Sequence, residues 1–180
     1  MIATLSELKS YLWITDATQD TLLTILLDSA DDFVKWYIGR EIESASYTEY
    51  FDGDGQREIL MKNYPVTALT SFEENTGTLQ TPVWTAIDAS TYKLSPNIAK
   101  LFLTFYKSRG FQNFKVVYTA GYETIPGDIK LATLKIASGY YNRRTSDGVK
   151  KEGVAGDYIE YDTTDLPSDV FIILNNYRDV

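Results

Sequence analysis

Apolar positions along the chain recur first at three- and four-residue spacing, then at two, then at three and four again. Leu5, Leu8 and Leu12 share one helical face, and Thr4 followed by Glu7 has the form of a capping box, which predicts a short helix over about residues 5–13. Trp13 and Ile14 close it. A second start signal at Asp16 to Thr18 precedes Leu22, Leu23, Leu26, Leu27, Ala30, Phe33, Val34, Tyr37 and Ile38, so a long helix is expected from about 17 to 38, stopped by Gly39. Its apolar stripe is too broad for a single neighbour, so this helix is expected to form the centre of the core, with Leu26 buried on it.

From Ser46 the period changes to two, with Tyr47, Glu49 and Phe51 alternating against Thr48, Tyr50 and Asp52. Asp52-Gly53-Asp54-Gly55 supplies turn residues, and Glu58-Ile59-Leu60-Met61 is the expected returning strand of a hairpin. Pro65 marks a break before a strand over about 66–72, and Glu74 to Gly77 reads as a turn. Further strands are expected at about 83–86, 91–94, 101–105 and 114–119. Helical spacing returns after Pro126-Gly127-Asp128, where Ile129, Ala132, Ile136 and Tyr140 form a stripe widened by Thr133, Ala137 and Tyr141. A helix over about 128–143 follows, then a polar, glycine-bearing loop from Arg143 to Asp162, expected to order only on a partner. A last helix begins at Pro167-Ser168-Asp169, with Val170, Phe171, Ile173, Leu174 and Tyr177 on its apolar face.

These elements predict an α+β fold, a helical frame of about four helices with an inserted antiparallel β subdomain. The expected division is 1–45 for the N-terminal part of the frame, 46–122 for the insertion and 123–180 for the C-terminal part, folding as one cooperative unit. No internal repeat or low-complexity tract interrupts this order.

Composition narrows the chemistry. The 180 residues include no cysteine and no histidine, which excludes disulfides, thiolate nucleophiles, the usual zinc sites and imidazole bases. Acidic side chains number 25 against 17 basic ones, a formal charge of −8, the wrong sign for holding nucleic acid through its phosphates. No apolar run is long enough to span a bilayer, so no membrane association is expected. The opening Met1-Ile2-Ala3 runs directly into a helix cap with no secretory pattern, so synthesis in the cytoplasm is expected.

Few residues offer a site. Asp52, Asp54 and Glu58 superficially suggest a calcium loop, but the spacing lacks the EF-hand's glutamate at the twelfth position, and a hairpin turn accounts for them. The same carboxylates, or Asp157 with Glu160, offer the two carboxyl groups of a glycosidase, although an acidic chain brings many such pairs together by chance. No catalytic, cofactor or metal residues are therefore assigned. The cluster Arg143, Arg144, Lys150 and Lys151 stands out against the negative whole, either as a solvated loop or as a dock for an acidic partner. With 14 tyrosines and 8 phenylalanines the chain carries more aromatic surface than a small core demands, which suits extensive protein interfaces. A monomeric binding module, for instance one presenting Trp84 and Tyr92 to a glycan, and a carboxylate hydrolase are the alternatives.

In order, several segments resemble the head-tail connector proteins of long-tailed double-stranded DNA phages, also called adaptors or head-completion proteins. They are Leu5-x-x-Leu8-Lys9-x-Tyr11-Leu12, a stretch from Asp20 ending Tyr37-Ile38-Gly39-Arg40, Tyr50-Phe51-Asp52-Gly53-Asp54-Gly55, and Asn63-Tyr64-Pro65-Val66. Val116-x-Tyr118-x-Ala120-Gly121-Tyr122, Pro126-x-Asp128-Ile129-Lys130-x-Ala132 and Leu174-x-x-Tyr177-Arg178 complete the series. Residues from about 73 to 112 match no part of it. The resemblance implies a non-enzymatic structural protein of the virion neck, without cofactor. It would form a homo-oligomeric ring, dodecameric when assembled, beneath the portal protein after DNA packaging. The ring would extend the channel, let DNA pass without specific binding, and carry the next neck or tail-completion protein. Tyr177 and Arg178 then join the four basic residues as candidate docking positions.

Overall fold

The computed structural model describes residues 1–144, 151–154, 157–160 and 167–178. The chain divides into two compact units, Met1–Gly39 with Ile125–Val180, and Arg40–Thr124.

The first unit holds four helices among the described residues: α1 (Leu5–Leu12), α2 (Asp20–Ile38), α3 (Gly127–Arg143) and α4 (Ser168–Asn175). At α1 the Thr4 hydroxyl accepts from the Glu7 N–H, and the Glu7 carboxylate accepts from the Thr4 N–H at 2.7 Å, so two otherwise orphaned donors are satisfied reciprocally. Lys130 of α3 reaches the same carboxylate at 2.7 Å, tying the cap to a second helix. α2 ends at Gly39, whose left-handed φ of 85° lets its N–H bond Lys35 O.

The buried stripe of α2 is Leu23, Leu27, Ala30, Val34 and Ile38, and it packs against α1, α3 and α4. Leu26, expected to be buried, lies on the flank and is only partly buried. The sequence offers two adjacent leucine pairs, Leu22-Leu23 and Leu26-Leu27, and helical spacing alone does not say which member of each pair turns inward. Ile129, Ala132, Ile136 and Ala137 of α3 and Val170 and Leu174 of α4 complete the buried set. Asp31 is also buried on α2, held by the Ile2 N–H at 2.6 Å and by Lys35 at 3.3 Å.

Part of the expected loop from Arg143 to Asp162 is regular. Arg143 is the last residue of α3, and β8 (Lys151–Val154) pairs antiparallel with β9 (Asp157–Glu160). Among the residues singled out there, Lys150 and Asp162 lie outside the described residues.

The regular elements of the second unit are strands and two short turns of 3-10 helix. One sheet has the order β1-β7-β3-β4, formed by β1 (Ala45–Gly53), β7 (Gly110–Ala120), β3 (Val66–Asn75) and β4 (Trp84–Ala86). A second has the order β2-β6-β5, formed by β2 (Glu58–Leu60), β6 (Lys100–Leu103) and β5 (Tyr92–Ser95). The expected hairpin between β1 and Glu58–Leu60 is not formed. β1 pairs with β7 from Ala45↔Ala120 to Gly53↔Gly110, while β2 pairs with β6 in the other sheet. The Asp54 carboxylate accepts from the Gln56 N–H at 2.8 Å, and the next carbonyls, Gln56 and Arg57, receive Lys107 N–H and Leu103 N–H. The turn residues therefore lead the chain from one sheet into the other.

Between the sheets lies one apolar cluster that includes Ile59, Phe72, Leu101, Phe114, Val116 and Tyr118. At the base of this unit the chain that enters is bonded to the chain that leaves. Tyr122 N–H donates to Ile42 O at 2.8 Å, and Ser44 N–H donates to Tyr122 O at 3.2 Å. Beside them the Arg40 guanidinium is buried against the Tyr64 ring, 3.5 Å from its centroid, and donates to the Tyr64 carbonyl. Gly121 has φ 104°, and a Cβ there would lie 2.4 Å from Glu43 O, so this crossing needs glycine on both counts.

Candidate docking surface

Asp52, Asp54 and Glu58, the carboxylates of the calcium-loop pattern, are each held by their own neighbours. Asp54 pairs with Lys107 at 2.9 Å, and the Gln56 N–H and then Lys107 hold its carboxyl below the usual range. Glu58 pairs with Lys100 at 2.5 Å, and Asp52 accepts from the Gln112 N–H at 2.7 Å. The three groups point to three partners, which leaves a turn and two strand pairs in place of a shared ion site. Asp157 and Glu160 are register partners of Val154 and Lys151 in the β8–β9 ladder.

The aromatic pair considered for a glycan is also divided. Trp84 lies in the larger sheet, 5.6 Å from the Tyr50 ring, with the Lys115 ammonium 4.8 Å from its own ring centroid. Tyr92 lies in the smaller sheet and meets the buried Phe72 ring edge-on at 5.3 Å. One faces a cation and the other the core, so they form no common platform.

The candidate docking residues separate into two groups on the helical unit. At the C-terminal end of α3, the Arg144 guanidinium stacks 3.7 Å from the Tyr141 ring centroid and donates to the Tyr141 carbonyl at 2.5 Å. Arg143 donates weakly to Gly139 O at 3.4 Å. Tyr141 in turn donates to the Gln19 side chain at 2.9 Å, next to the start of α2. Tyr177 and Arg178 belong to the opposite end of α3. The Tyr177 hydroxyl bonds the Asp128 carboxylate at 2.8 and 2.9 Å, in the first turn of α3, and Arg178 lies 5.2 Å from the Tyr37 ring at the end of α2. α3 spans 17 residues, about 25 Å at 1.5 Å per residue, so the two arginine groups sit a helix length apart. Lys151 opens β8.

Pairing also fixes α4. Lys135 of α3 bonds Asp169 in the first turn of α4; this contact raises the lysine pKa and lowers that of the acid. Tyr37 meets the Phe171 ring at 5.6 Å with the planes tilted by 57°, and donates to Asn175 at 2.8 Å. Sequence spacing placed Tyr37 in a core stripe and missed that its hydroxyl anchors α4.

A unit of four helices and an inserted two-sheet unit, with the carboxylates of the turn after β1 committed to local pairs, make an α+β chain. The family model described as head completion protein matches residues 1–180, and the chain belongs to that family. It is a structural head-tail connector of the virion. No curated protein matches the chain. Among solved structures, the fold is similar to a chain in the neck of an empty gene transfer agent (GTA) particle computed with C6 symmetry, at TM-score 0.68 and 16% identity, over 98% of this chain and 88% of that one. It is similar also to a chain in the neck of the native particle computed with C12 symmetry, at TM-score 0.63 and 18% identity, over 98% and 88%. A chain of the native virion matches at TM-score 0.65 and 17% identity, over 98% and 89%.

Proposed function

We propose that copies of this chain close into a ring, a dodecamer when assembled, on the portal once the head is filled with DNA. The ring extends the DNA channel and presents a platform to the next neck or tail component. The observation that carries this reading is the end-to-end likeness of the fold to chains of particle necks with C6 and C12 symmetry, joined to membership of the head completion family. The role is one of interface and geometry, without catalysis. A formal charge of −8 suits a channel wall that lets phosphates pass without gripping them.

Arg143 and Arg144, with Lys150 and Lys151 following, offer cations to an acidic portal surface; Tyr177 and Arg178 are the second candidate contact. Purified portal gives the test. The protein binds it stoichiometrically at micromolar concentration and becomes a ring visible by electron microscopy, and Arg143→Glu with Arg144→Glu weakens binding. No binding to the cognate portal refutes the reading. A silent charge reversal moves the dock to the Tyr177 and Arg178 end.

A further inference from the structure

Two outward faces on this chain are both apolar at the centre and opposite in charge. On α2, Leu22, Ile25 and Trp36 are 37, 57 and 75% exposed. Their spacing places them on the side of the helix opposite Leu23, Leu27 and Val34. Asp28 and Asp32 flank that stripe, exposed, and neither has a hydrogen bond or ion pair among the described residues.

The second face belongs to the sheet β2-β6-β5. Register aligns Glu58, Phe102 and Lys93 in one row and Leu60 with Lys100 in the next, while Ile59 and Leu101 turn to the core. Phe102 is 45% and Leu60 67% exposed. Glu58 is paired with Lys100 at 2.5 Å, and Lys93 is exposed with no ion pair among the described residues; at the end of the sheet Arg57, the residue before β2, donates to Thr104 O and extends over the exposed Tyr106 ring at 4.5 Å. The stretch that carries β5 and β6, from Ala89 to Arg109, contains no aspartate or glutamate, in a chain of net charge −8.

Resting on the ring reading above, we propose that neighbouring copies meet through these two faces, the outward side of α2 on one copy seated on the outward side of β2-β6-β5 on the next. A ring needs a head-to-tail contact, one that joins two unlike patches. Apolar centres with charged surrounds match the anatomy of specific interfaces. The charges also disfavour the simplest alternative, a twofold dimer through α2, because it would bring Asp28 and Asp32 of both copies together. Each copy uses one acidic and one basic face, so a closed ring leaves neither uncovered.

Charge exchange between two variants tests this directly. One carries Asp28→Lys and Asp32→Lys, the other Arg57→Glu and Lys93→Glu, and assembly on purified portal is followed by electron microscopy and sedimentation. Each variant alone opposes like charges at every contact and assembles with a midpoint concentration at least about tenfold higher than the unmodified chain. An equimolar mixture recovers assembly, because alternating copies restore opposite charges at every contact. Such recovery also excludes misfolding as the cause of the single defects. Variants that assemble normally, or a mixture no better than its parts, overturn the inter-copy contact while leaving the ring reading standing. Absence of a ring from the unmodified chain defeats the ring reading first. Protection of Trp36 from hydroxyl-radical labelling in the free monomer means that the chain covers its own α2 face, and this too overturns the proposal.

Discussion

The Tyr118 hydroxyl, at the centre of the β unit's core, donates to the Glu49 carboxylate at 2.6 Å. It also accepts the Asn63 N–H at 3.2 Å, so one phenol joins β7 to β1 and to the segment before Pro65. Burial, and then the bond to Glu49, push the Tyr118 pKa well above its ordinary value, so the phenol stays protonated and remains a donor. This explains how an acid sits on the inward-facing row of β1 between Tyr47 and Phe51.

Tyr118→Phe keeps the ring and removes the link. Glu49 loses a donor and the Asn63 N–H an acceptor in a water-poor site, and the expected cost is about 1–3 kcal/mol. Urea unfolding measures it. A midpoint unchanged from the parent would show that water replaces the hydroxyl at both partners.

Leu27 is fully buried on α2 and Leu26 only partly. Leu27→Ala is expected to lose about 2–5 kcal/mol and Leu26→Ala distinctly less. Comparison of the two by denaturant unfolding checks the helix register; the reverse order would rotate α2 by one residue.

The helix signals were legible because each was local. Thr4 with Glu7, the glycine at 39 and the spacing of Ile129, Ala132 and Ile136 are features of a few neighbouring residues, and the structure contains each as read. The errors came where the outcome depended on distant partners. Asp52-Gly53-Asp54-Gly55 has hairpin chemistry, yet the partner of β1 is β7, more than fifty residues on, and only the folded sheet reveals it. Docking residues were gathered from their charge and from the resemblance, but Arg143 ends α3 while Tyr177 bonds Asp128 in its first turn. Tyr37 and Asp31 escaped notice because a core tyrosine's hydroxyl and a buried aspartate look ordinary until Asn175 and the Ile2 N–H are beside them.

Acid should loosen the α1 cap. The Glu7 pKa is held down to about 2 from 4.5, first by Lys130 and then by the Thr4 N–H. A depressed carboxyl contributes stability that is present above pH 4.5 and is lost as pH falls towards 2. Thermal melts of the parent and of Glu7→Gln across that range give the check: the difference between them narrows on acidification. A constant difference would remove Glu7 as an acid-sensitive element.

At Gly121 an alanine would have to adopt φ 104° and place its Cβ 2.4 Å from Glu43 O. Gly121→Ala is expected to destabilise the β unit by about 2 kcal/mol or more. Hydrogen exchange offers a local reading, since protection of the Tyr122 and Ser44 amides should fall before that of β7. Uniform loss across the sheet would place the strain elsewhere.

The bonds between Ile42, Ser44 and Tyr122 give the inserted segment a closed waist. Loop-closure entropy depends on how far apart a segment's ends must be held, and here the segment holds its own ends together. To the helices on either side, Arg40–Thr124 is then a short stitch whatever its length. Sheets can be enlarged, trimmed or exchanged above that waist at little entropic cost to the frame, so the frame and the module it carries are free to evolve at different speeds.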